Sequence, residues 1–96
     1  MRTDCSEASI TNMFTIEDEA HCEPQDGKFQ TRGEAIAELE RRATIPWDVE
    51  PNRAPCTSWR TCGRRYEILE YDDAGEYLSR EPVLEISAKG VKWQSR

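Results

Sequence analysis

The sequence predicts an α+β domain in which a single amphipathic helix packs on a small antiparallel sheet, in the order β-(β)-α-loop-β-β-β. Three observations lead there. Residues 31–43 combine a helix start signal, an apolar stripe of helical period and a stop signal. Residues 12–19 and 66–71 alternate apolar and polar side chains as strands do. Turn-forming clusters at residues 72–75 and 89–90 cut the C-terminal part into hairpins.

In chain order, Phe14 and Ile16 stand two apart with Thr15 and Glu17 between them, so the first strand has one buried face. Glu23, Pro24, Gln25, Asp26 and Gly27 read as a turn, with Gly27 free to take the positive φ of a reversal. Residues 28–30 come next as a short second strand, and Phe29 is placed to pack where the helix leaves the sheet. Thr31 and Glu34 have the spacing of a capping box, which satisfies backbone N–H groups that the first helical turn leaves unpaired. Ala35, Ile36, Leu39 and Ala43 form the buried stripe, Glu38 faces Arg42 at i, i+4, and Arg41 and Arg42 suit the negative end of the helix dipole. Pro46 blocks continuation.

Residues 44–62 form a long ordered loop that contains Pro46, Pro51 and Pro55 as well as Trp47 and Trp59. Such a connection is uncommon in a small domain unless it is functional or pinned down. Beyond it, Tyr66 and Ile68 point to one face and Leu69 and Tyr71 to the other, the pattern of a central strand. Residues 76–80 return as its partner, Pro82 marks an edge or a break, and Leu84, Ile86 and Ala88 share a face before the turn into Val91 and Trp93.

Ile, Leu, Val and Phe supply only 15 of 96 residues, while a third are charged, so one domain over residues 1–96 with a thin core is expected. A metal, a disulfide or a partner subunit, a homodimer included, would help such a core. Residues 1–10 carry no apolar run; they are a candidate for disorder and do not read as a signal peptide. With no apolar stretch of membrane-spanning length, a soluble cytoplasmic protein with reduced thiols is expected.

Cys22, Cys56 and Cys62, joined by His21 or Cys5, are the candidate metal ligands. Five residues separate Cys56 from Cys62, and His21 adjoins Cys22, both unlike the tight turns of zinc ribbons, so no cofactor is assigned and zinc stays an alternative. No phosphate loop, metalloprotease helix or serine elbow is present, which argues for a non-enzyme. Arg53, Arg60, Arg64 and Arg65, interleaved with Trp47 and Trp59, have the chemistry of phosphate contact and base stacking. A sequence pI of about 4.8 and acidic flanks disfavour direct nucleic-acid binding.

The acids support a different reading. Residues 4–26 hold seven acids and no Lys or Arg, and residues 67–85 hold seven against Arg80 alone. Glu17, Asp18 and Glu19, with Glu70, Asp72, Asp73 and Glu76, are the candidate partner-binding carboxylates, joined by Trp47, Arg53, Trp59 and Arg60 from the loop. Rows of carboxylates imitate phosphate and steer a protein onto a basic groove. The expectation is a small acidic inhibitor that binds a larger protein partner and covers a basic nucleic-acid-binding surface. Phage-encoded inhibitors of restriction or CRISPR complexes work in this way; the likeness is one of charge and size, not of any motif. The alternative is a structural-zinc or thiol-redox regulatory domain centred on Cys22, Cys56 and Cys62.

Overall fold

The computed structural model describes residues 12–55 and 63–95. Cys56, Trp59, Arg60 and Cys62, and the expected disorder of residues 1–10, lie outside the described residues. Strand β1 (Met13–Asp18) is followed by the two-residue β2 (Glu23–Pro24), helix α1 (Arg32–Arg42), β3 (Arg64–Tyr71), β4 (Tyr77–Ser87) and β5 (Gly90–Trp93). The strands pair antiparallel in one sheet of order β2-β1-β3-β4-β5, with β3 central, as its two apolar faces require. The mixed α+β class and the element order agree with the sequence.

Two boundaries differ. Residues 28–30 do not form a strand: Phe29 makes a single bridge to Phe14, and the short strand falls earlier, within the stretch read as a turn. Gly27, at φ +108°, reverses the chain between the two contacts, just after the Gln25 N–H makes the last bond of the first one, to the Ile16 carbonyl at 2.9 Å. At the other end, the two strands expected around Pro82 are one bulged strand, β4. Tyr66 pairs with Leu84 and Glu67 with Pro82, which leaves Val83 as an extra residue. Val83 and Leu84 can then both enter the core, which strict alternation forbids. A second irregularity, between the pairs Glu70 with Ser79 and Tyr71 with Tyr77, leaves Leu78 as the extra residue.

Helix α1 starts as its sequence requires. Thr31 Oγ1 accepts the Glu34 N–H at 3.1 Å. The Glu34 carboxylate reaches one residue further back than a capping box needs and accepts the Gln30 N–H at 2.9 Å. Ala35 and Leu39 are fully buried, whereas Ile36 and Ala43 are half-buried at the margin. The stripe lies over β1 and β3, and with Ile16, Tyr66, Ile68, Val83, Leu84 and Ile86 it makes one core. Gly63, just before β3, is held to glycine by close approach, since a Cβ there would overlap the Ile86 carbonyl oxygen.

Ion pairs on the flanks of the helix give stability a pH dependence. Hydrogen bonds from Arg41, and then from Arg42, hold the Glu38 carboxyl below its usual range. Those from Arg32 and then Ser95 do the same for Glu81. A carboxyl depressed on folding contributes stability above its unfolded pKa, and the contribution disappears as pH falls through the folded value. Melting temperature is therefore expected to be level from about pH 7 to 5 and to fall below about pH 4.5. Thermal melts of the Glu38→Gln, Glu81→Gln double variant should show a shallower acid decline; an unchanged slope would contradict these assignments.

Candidate functional site

The acids of the chain fall into two groups, and the alternation of β1 sorts the first of them. Phe14, Ile16 and Asp18 face the helix side, while Glu17 faces the open side of the sheet. Asp18 is fully buried. Its Oδ1 accepts the Ala20 and Arg65 N–H groups, each at 3.1 Å, and its Oδ2 meets Arg64 Nη1 at 2.9 Å and His21 Nδ1 at 2.7 Å. Arg64, also buried, bonds Glu23 through Nη1 and donates from Nη2 to the Arg53 carbonyl at 2.7 Å. The expectation that Glu17, Asp18 and Glu19 form one outward row is thus corrected for Asp18. Its charge is enclosed with a guanidinium and cannot reach a partner.

Glu17 and Glu19 are placed outward but are matched within the chain. Glu17 Oε1 lies 2.6 Å from Arg80 Nη2, and Glu19 Oε1 lies 2.8 Å from Arg65 Nη2. The same Arg80 reaches Glu67, 3.3 Å away, so the open face near β1 is a lattice of opposed charges. Such pairs remain solvated and are worth little individually, but they reduce the field that the acids project.

The β3–β4 hairpin differs. Asp72 is a turn residue: its Oδ1 accepts the N–H groups of Ala74 and Glu76, each at 2.9 Å, and Gly75 takes φ +87°. Glu70 accepts the Asn12 side-chain amide at 2.8 Å. Asp73 and Glu76 are exposed at the tip, and neither carboxylate meets a cation among the described residues. Asp26, on the turn that carries Gly27, is exposed as well and lines the same cleft as Gly75. That cleft, of about 530 Å³, has Met13, Thr15 and Tyr71 on its floor and Lys28 beside Asp26 on its rim. Beside the tip, Tyr77 and Leu78 are 53% and 49% exposed, large for apolar side chains on neighbouring positions. Tyr77 meets Tyr71 edge to face at a centroid separation of 6.1 Å.

The loop after the helix is pinned from within. Asn52 is fully buried and donates from Nδ2 to the Arg42 carbonyl at 2.9 Å and to the Ile45 carbonyl at 2.8 Å, closing the helix C-terminus. Its Oδ1 accepts the Tyr66 hydroxyl at 2.9 Å. Burial pushes the Tyr66 phenol pKa up, and the Arg42 guanidinium covers its ring, 5.1 Å from the centroid. Trp47 packs against the core margin, and Arg53 is exposed with Glu50 3.2 Å away. The described part of the loop therefore acts chiefly as a strut.

Cys22 is an exposed free thiol at φ +52°. Among the described residues no group of three or more His, Cys, Asp or Glu side chains is arranged to hold a metal ion, and Cys56 and Cys62 lie outside them. No described helix is long and apolar enough to cross a membrane. The structure thus brings together Asp72, Asp73 and Glu76, and sets them apart from Glu17 and Glu19, which sit where β1 meets the other end of β3. Asp26, Tyr77 and Leu78 were not among the sequence candidates. The adjacent apolar pair at 77 and 78, which breaks strand alternation, is the signal that marks two of them. Compared with known proteins, the chain matches no family model, no curated protein and no solved structure.

Proposed function

We propose that this protein is a small non-enzymatic interaction protein of the cytoplasm that occupies a basic surface of a larger protein partner, one that handles nucleic acid. The observation that carries this reading is the hairpin end, where Asp73 and Glu76 have no cation of their own among the described residues and adjoin exposed Tyr77 and Leu78. By contrast, Glu17, Glu19, Glu38 and Glu81 are each matched by an arginine of the chain. Unmatched carboxylates steer a basic partner, and flanking aromatic and aliphatic side chains supply the desolvated anchor that makes an interface hold. Inhibitors of restriction or CRISPR complexes are the class of protein that this design fits.

Affinity capture of partners from a bacterial lysate, with and without nuclease, tests the reading. A protein retained after nuclease treatment and released by salt is the expected result. Material recovered only while nucleic acid is intact would contradict it.

A further inference from the structure

We propose that the outer edge of β4 over residues 77–81 is a strand-docking edge, and that its occupant is an extended basic segment of the protein partner. The proposal rests on the basic-partner reading above and adds where and how that partner is held.

Strand β4 is long, but β5 pairs only with its residues 84–87. The outer side of residues 77–81 has no strand against it among the described residues. The register shows which backbone groups face outward. Asp72 donates its N–H to the Glu76 carbonyl at 2.9 Å, and the next pair in register is Tyr71 with Tyr77. Bonded and non-bonded pairs alternate in an antiparallel ladder, so the Tyr77 N–H and carbonyl point away from β3. From the other side, Pro82 has no N–H to exchange with Glu67, its register partner. Counting back along the ladder, Glu81 with Ile68 is a bonded pair and Arg80 with Leu69 is not, so Arg80 also presents its amide outward.

An open edge with exposed apolar side chains is a hazard that proteins blunt or cover. The opposite edge of this sheet is blunted, since β2 has only two residues and ends in Pro24. The β4 edge is not, and it carries Tyr77 and Leu78 at about half exposure. Charge selects the occupant. Asp73 and Glu76 adjoin the edge without a cation among the described residues, so Lys or Arg on an added strand would be matched there, while its apolar side chains meet Tyr77 and Leu78. A second copy of this chain would bring a net charge of −6 and the same acids.

The test uses the full chain, labelled with nitrogen-15, and the capped hexapeptide KVKLKV as probe. A control of equal charge, KPKLKP, lacks the amides needed to extend a ladder. The expected result is that KVKLKV slows exchange of the Tyr77 and Arg80 amides at least about tenfold and binds at least about tenfold better than the control. Leu78→Lys should weaken KVKLKV by a similar factor with an unchanged melt. Tyr77→Pro should do the same, because its N–H takes no part in the β3–β4 ladder. If both peptides bind equally and the Tyr77 and Arg80 amides stay unprotected, the docking edge is wrong while the basic-partner reading survives. If neither peptide binds, that reading fails too. A native mass of twice the chain, with these amides protected before any peptide is added, would assign the edge to a second copy instead.

Discussion

Asp18→Ala is expected to cost about 3–5 kcal/mol, the range found when one partner of a buried ion pair is removed and the other is left enclosed. The loss has identifiable parts. Arg64 would keep only Glu23 as a carboxylate partner, and the N–H groups of Ala20, in the turn after β1, and of Arg65, on β3, would lose their acceptor. Asp18→Asn should cost less, since the amide oxygen can still accept, although its NH₂ then confronts Arg64 or His21. The neighbouring Glu17→Ala removes an exposed pair with Arg80 and should cost less than about 1 kcal/mol. Urea unfolding of the three variants checks this ordering. Equal losses at positions 17 and 18 would mean that the carboxylate of Asp18 is not the hub of a buried cluster.

Leu39→Ala should have the other large effect. Leu39 is fully buried in one core cluster with Ile16, Tyr66 and Ile68, and the helix offers no second large apolar side chain at full burial, because Ala35 is small and Ile36 sits at the margin. Truncating a buried leucine costs about 2–5 kcal/mol, with the higher figures where the surroundings cannot collapse into the cavity. Tyr66 is fixed by Asn52 and Arg42, so little collapse is available on that side. At roughly 4–8 °C per kcal/mol for a domain of this size, melting temperature should fall by about 10 °C or more. A decrease of only one or two degrees would show that the helix contributes less to the core than its burial implies.

Helix α1 could be read from the chain because its signals are local: a hydroxyl three residues before a glutamate, a stripe, basic residues at the end and a proline beyond. The strands of the C-terminal hairpin could be read for the same reason. The bulges at Val83 and Leu78 could not, because they depend on which residue of β3 lies opposite, a property of two strands rather than one. The buried ion cluster was partly legible. The alternation that sends Phe14 and Ile16 inward also sends Asp18 inward, and the alternation of Ile68 and Tyr66 sends Arg64 inward on the adjacent strand. Reading residues 17–19 as a charge run concealed this, since a run ignores the period of the strand that carries it. Asn52 gave no local sign of burial; its role comes from meeting the helix end and Tyr66 across the fold.

Carboxylates that look alike in the sequence thus have different surroundings in the fold. Asp18 and Asp72 serve the fold, Glu17 and Glu19 are paired with arginines, and Asp73 and Glu76, exposed and without a cation among the described residues, are the two that we propose meet a partner. Capture of the partner by the Asp73→Lys, Glu76→Lys double variant, with its melt recorded in parallel, tests that division most directly. Capture should fall at least about tenfold while the melting temperature stays within a few degrees. Undiminished capture by this variant, together with loss of capture in a folded Glu17→Lys, Glu19→Lys variant, would contradict it.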